Sequence, residues 1–167
     1  MRALVAVLPL VLAGAALASP AFPSPVSVPP AEQAANFKAA GFARHGREWR
    51  SGACEPPEAS YAPGAIETYR DLNGDGRPEA VVTEQGGLCY GMTGQSFWLL
   101  SRQADGSWRL LTNSVAVPEF LATRGGGGCP DISLGGPGLC FPVVRWNGRE
   151  YAVQRHEYEG RRCRPQR

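Results

Sequence analysis

The sequence has little of what catalysis usually needs. Histidine occurs twice in 167 residues, at His45 and His156, and a lone histidine in a charged segment is ordinarily a solvated side chain. No nucleophile elbow, HExxH pair or phosphate-binding loop is present. The glycine run in "RGGGGCPD" lacks the lysine of such a loop and follows no clear strand. Cys129, which ends that run, has no base near it in sequence to make it a thiolate nucleophile. These absences leave no catalytic residue to name.

Charge of one sign is scarce too. Lys and Arg number 17 against 15 Asp and Glu, a net +2, which gives no reason to expect nucleic acid as a partner. Arginines do cluster, at Arg44, Arg47 and Arg50 and again at Arg155, Arg161, Arg162, Arg164 and Arg167. They read as a solvated face and a solvated tail, with contact to an anionic envelope surface as the alternative.

Long apolar runs are confined to the start. "MRALVAVLPLVLAGAALASP" has one positive charge at Arg2, an uncharged apolar run from Ala3 to Ala18, and small residues at Ala16 and Ala18. That is the layout of a secretory signal peptide (1–18), too short and poorly flanked for a stable membrane span. Ser19 to Pro30 follows, with five prolines and no charge, an extended leader (19–30) rather than core. Residues 31–167 then form one expected domain. The expectation is an exported protein of the periplasm or extracellular space.

All five cysteines lie beyond the expected signal peptide and none forms a CxxC, so disulfides are expected rather than a zinc site. A Cys54–Cys163 bridge would tie the two ends and close a long loop, worth about 4 to 5 kcal/mol in the chain-entropy picture. That pair with Cys89–Cys140 is the favoured connectivity, leaving Cys129 spare; Cys129–Cys140 competes.

The fold class expected is α+β, mainly an antiparallel sheet meander of three hairpins with one short N-terminal helix. The helix is placed at about Ala31 to Ala40, anchored by Phe37 and stopped by Gly41. "AIETYRDL" and "EAVVTE" flank one connection, "SFWLLSRQ" and "SWRLLTN" flank Ala104 to Gly106, and "FPVVRW" and "REYAVQRH" flank Asn147-Gly148. Asn-Gly between apolar runs signals a type I′ hairpin. "DISLGG" is a shorter seventh strand.

The first connection, "DLNGDGRPE", places oxygen donors at every second position: Asp71, Asn73, Asp75, the carbonyl of Arg77, and Glu79. Calcium takes six to eight oxygens, and such alternation lets a short loop wrap it. An EF-hand is excluded, because Val82 stands where the bidentate glutamate belongs and a strand follows. The alternative is an acidic turn whose Asx side chains cap backbone amides.

In its strand-loop-strand setting, "DLNGDGRPEAVV" resembles the calcium loop of FG-GAP and VCBS repeat proteins. The resemblance covers about a dozen residues and implies calcium held by Asp71, Asn73, Asp75 and Glu79. One copy in a chain this short excludes a whole propeller. The closing segment through "FPVVRWNGREYAV" is similar to that of small exported bacterial proteins of uncharacterised function.

For function, the residues point to a binding or structural module of the cell envelope, its partner a protein or glycan. Any of the aromatics Tyr90, Phe97, Trp98, Trp108, Phe141 and Trp146 left outward near "CYGMTGQ" are the expected recognition patch. Two alternatives stand beside it: a small hydrolase pairing Glu84 with Asp131 or Glu79, and an inhibitor of a cell-wall enzyme.

Overall fold

Prolines set where the first helix begins. Pro30 occupies the first turn, where its missing amide costs nothing, and α1 runs Pro30–Ala39. Past its end, Gly41 takes φ 87, the Gly41 amide donates to Lys38 and the Phe42 amide to Phe37. This is a Schellman closure, with Phe42 packed back on Phe37 at 5.8 Å between ring centroids. The computed structural model describes residues 26–54 and 59–165; the expected signal peptide and most of the leader lie outside them.

Strands follow: β1 Ala43–His45, β2 Glu48–Arg50, β3 Ala62–Arg70, β4 Glu79–Gln85, then the short helix α2 Gly87–Tyr90 and a 3₁₀ turn Gly91–Thr93. The rest are β5 Gln95–Arg102, β6 Trp108–Ser114, β7 Val117–Arg124, a 3₁₀ turn Gly126–Gly128, β8 Pro130–Gly135, β9 Phe141–Trp146, β10 Tyr151–Tyr158 and β11 Arg161–Arg162. The expected single meander is corrected to three antiparallel sheets: the pair β1-β2, the four strands β3-β4-β5-β6, and the five strands β11-β10-β9-β8-β7.

The four-stranded sheet is the middle layer, and strand parity shows why. Ala80, Val82, Trp98 and Leu100 join Phe37, Ala40 and Phe42 in a core on the helix side. Val81, Phe97 and Leu99 join Ile132 and Val144 of the five-stranded sheet on the other. β4 and β5 are therefore apolar on both faces, which accounts for their unbroken runs where a one-sided strand would alternate. Truncating Phe97 or Leu99 in this core would cost about 3 to 5 kcal/mol. Glu32 fastens α1 to the sheet by accepting from the Trp108 indole at 2.7 Å and pairing with Arg102.

Three departures from the sequence reading have physical causes. β7 carries Pro118, which an edge strand tolerates and a central strand does not, and β7 is indeed an edge. β1 and β2 are three residues each and lie around Gly46 at φ 64, too short to show a period. The Asn147-Gly148 turn is not type I′: only Gly148 has positive φ, while Asn147 Oδ1 accepts from the Arg149 and Glu150 amides at 2.9 and 3.0 Å.

The same four cysteines are oxidised, but with partners exchanged: Cys54–Cys89 and Cys140–Cys163. The expected end-to-end bridges fail because β1 and β2 belong to the helix side of the middle layer and β10 and β11 to the far sheet. Each bridge closes within its own side. Cys129 is free and buried, as its place in the favoured pairing implied. Non-reducing peptide mapping should recover the 54–89 and 140–163 pairs, with alkylation of Cys129 only after denaturation. Losing either bridge should cost about 3 to 4 kcal/mol for loops of this length.

Candidate functional site

The acidic loop joins β3 to β4 and turns its oxygens inward. Asp71 Oδ1 accepts from the amides of Asn73 and Gly74 at 3.2 and 2.6 Å, and Oδ2 from Gly76 at 2.9 Å. Asn73 Oδ1 accepts from the Asp75 amide at 2.8 Å, and the Asn73 amide group donates to Glu79 at 3.1 Å. Asp75 caps the Arg77 amide and pairs with its guanidinium. Glu79, 2% exposed, accepts from the Leu72 amide and the Ser101 hydroxyl, both at 2.8 Å. These are Asx-type turns, the alternative reading of the loop.

Amides from Gly76 and Gly74 hold the Asp71 carboxyl below its usual range. Burial pushes Glu79 up; its hydrogen bonds pull the other way, and the Asp75 and Asp71 charges add to the rise. Hard oxygen donors in this order suit calcium chemically. As arranged, they are spent on internal donors, and an ion would have to take Asp75 from Arg77. Among the described residues no group of three or more His, Cys, Asp or Glu is placed to hold a metal.

The glycine run has its explanation here. Gly128, at φ 76, lies so close to the Asn73 carbonyl oxygen that a Cβ would collide with it, and a Cβ at Gly125 would strike Trp146 and Arg145. Arg124 donates to the Leu72 and Gly128 carbonyls at 2.7 and 2.6 Å. "RGGGGC" is a close-approach segment against the acidic loop. Beside it Cys129 is sealed, and burial, with the Glu79 charge, pushes its thiol up, away from nucleophilic duty.

The carboxylates named for a hydrolase face three ways and each is saturated. Glu84, 1% exposed, lies on the helix side and accepts from the Ser51 amide at 3.0 Å, the Tyr61 hydroxyl at 2.8 Å, and the Ser51 and Tyr90 hydroxyls. Burial alone would raise it, and these hydrogen bonds outweigh that and lower it; burial and Glu84 in turn push Tyr90 up to about 12. Glu79 is on the opposite face, five residues away, about 16 Å along the strand. Asp131 is in the other sheet, 0% exposed. None has an open oxygen for a substrate. His45 in β1 and His156 in β10 are separated by the same layering.

Asp131 is the group that sequence reasoning left in the wrong role. From β8 it accepts from Thr123 of β7 at 2.6 Å, from Arg145 of β9 through two bonds at 2.9 Å, and from Arg155 of β10 at 2.8 Å. The Arg145 fork, with Thr123 and Arg155, holds its carboxyl far below the usual range against the opposing effect of burial. Arg155, expected in a solvated tail, keeps 11% of its side chain exposed and also pairs with Glu157 at 2.5 Å. The one signal toward this tie is in "FPVVRW", where Arg145 alone interrupts an apolar strand; Arg155 stands between Gln154 and His156 and carries none.

Beside this tie, on the outer face of the five-stranded sheet, lies a trough. One part, about 500 Å³, is lined by Met92, Thr93, Val117, Glu119, Pro137 and Phe141 among others. A second, about 390 Å³, shares Glu119, Ser133 and Phe141 and continues to Leu121, Glu157, Tyr158 and Glu159. Leu121 on β7 and Glu157 on β10 are three strand spacings apart, about 14 Å if the sheet were flat, yet line one hollow. Met92 is 90% exposed and Val117 50%. The aromatic expected outward at "CYGMTGQ", Tyr90, is buried; the aromatics of the trough are Phe141 and Tyr158, with ring centroids 6.1 Å apart.

Comparison of the chain with protein-family models, curated proteins and solved structures finds no match.

Asp131→Asn should lower stability by about 3 kcal/mol at neutral pH, because it strands two arginines on a buried partner. The sign with pH follows from the depressed carboxyl. Its contribution is complete above the unfolded value near 4 and fades as pH falls toward the folded one. Denaturant unfolding at neutral pH and near pH 3 should show the variant's deficit shrinking in acid.

Proposed function

We propose that this chain is a non-catalytic recognition module of the cell envelope, exported and stapled by its two disulfides, that holds its partner in the trough on the outer face of the five-stranded sheet. The trough carries this reading: two adjoining hollows, apolar at Met92, Val117, Leu121, Phe141 and Tyr158, lie on a sheet tied rigid by Asp131. Concave, mostly apolar and preformed surfaces of this size are what ligands use. The three carboxylates that a hydrolase would need, Glu79, Glu84 and Asp131, are buried, which favours binding over turnover. Among the described residues no helix is long and apolar enough to cross a membrane.

Met92 and Val117 are exposed, so replacing both by serine should leave folding intact. Wild-type protein and a Val153→Ser control, exposed but outside the trough, should sediment with purified envelopes, and the double variant should not. Equal retention of all three, or of none, removes the reading.

Calcium at Asp71, Asn73, Asp75, the Arg77 carbonyl and Glu79, implied by the FG-GAP resemblance, is a separate proposal supported by donor order and chemistry. It would add stability and no reaction. With a dissociation constant near 1 mM, about 10 mM calcium should stabilise by roughly 1.4 kcal/mol. Coincident thermal transitions in calcium and in chelator would remove it.

A further inference from the structure

The trough is charged in one sense. Its lining includes Glu119, Glu157 and Glu159 and no lysine or arginine. Glu157 is neutralised by Arg155, but Glu119 and Glu159 have no ion pair or side-chain hydrogen bond among the described residues. Glu159 is also the one non-glycine among the described residues with positive φ, at 49, followed by Gly160 at 72, so the β10–β11 turn presents this carboxylate in a conformation few side chains adopt. The remaining polar side chains of the lining are the hydroxyls of Thr93, Ser133 and Tyr158, with no amide or guanidinium group among them. A ligand here must bring the positive charge itself.

The backbone adds a direction. β7 is the outermost strand of its sheet, and Val117, Glu119 and Leu121 project from it into the trough at every second residue. A strand laid against that edge would place alternate side chains on the same face. Resting on the recognition reading above, we infer that β7 and the trough take an extended peptide segment with an apolar, cationic, apolar pattern at alternate residues. The cation meets Glu119, with Glu159 near the far end, and the apolar side chains fill the hollows at Met92–Val117 and Phe141–Leu121. A neutral or N-acetylated glycan, which carries no positive charge to match these carboxylates, fits less well.

The probes are acetyl-Leu-Ser-Lys-Ser-Leu-amide, its glutamate counterpart acetyl-Leu-Ser-Glu-Ser-Leu-amide, and chitotetraose, each titrated into the full disulfide-bonded chain and followed by amide chemical shifts. The lysine peptide should shift residues 117–121, 133–135, 141 and 157–160, and the glutamate peptide should not. Its affinity should fall between about 10 mM and about 150 mM salt, as the screening length contracts from roughly 30 to roughly 8 Å. Glu119→Gln should weaken it about two- to fivefold, as expected for an exposed charge pair, with unchanged thermal unfolding. Glu159→Gly, which relaxes the turn and removes the charge, should weaken binding while keeping the fold. Equal binding of both peptides, shifts elsewhere, or no binding overturns the inference. Shifts at the trough with chitotetraose alone overturn the peptide and leave the recognition reading standing.

Discussion

A single buried carboxylate organises the far sheet. Asp131 offers two oxygens, and three strands supply donors to them: Thr123, Arg145 and Arg155. Buried charge is costly unless it is both paired and hydrogen-bonded, and Asp131 meets both conditions only if β7, β9 and β10 stand in this register around β8. The interaction thus acts as a registration device. A slip by one residue would turn either arginine to the opposite face and leave the carboxylate alone. The concavity beside it follows, since the same bonds draw β7 and β10 toward each other across the outer surface.

The other acids obey the same rule with other partners. Glu84 collects Ser51, Tyr61 and Tyr90, joining the loop after β2 and α2 to the middle sheet, close to the Cys54–Cys89 bridge. Glu79 gathers the start of the acidic loop onto β4 and β5. Glu84 and Glu79 therefore each mark a place where irregular backbone is fastened to a strand. This explains why acids that looked suited to catalysis in the sequence are inaccessible in the fold.

What was legible in the sequence was local. The helix anchored at Phe37, seven of the eight longer strands and the positions of most of their connections follow from alternation and turn chemistry, which act over a few residues; β7, interrupted by Pro118, does not. Layering was not legible, because the double-sided burial of Val81–Val82 and Phe97–Leu100 becomes distinct from a one-sided run only once both partners are known. The acidic loop was visible as a pattern of donors, but the hydrogen bonds that occupy those donors depend on Ser101 and Arg77 geometry. Disulfide partners and the Asp131 tie were hidden for the same reason: Cys140 and Cys163, or Asp131 and Arg155, meet through strand order, which spacing alone does not encode.

The passage from β6 to β7 at Val115–Ala116 has a topological meaning. Residues up to Ser114 build the helix layer and the middle sheet, residues from Val117 onward build the far sheet, and among the described residues no strand returns. Each part holds its own disulfide. The large apolar seam through Leu72, Val81, Phe97, Leu99, Ile132 and Val144 is therefore the interface of two contiguous, unlike fragments, tethered by two residues, of which Val115 is half exposed. In its connectivity the molecule is a heterodimer written as one chain, and the trough lies where the members meet, with Met92 and Thr93 of the first against Val117 and Glu119 of the second.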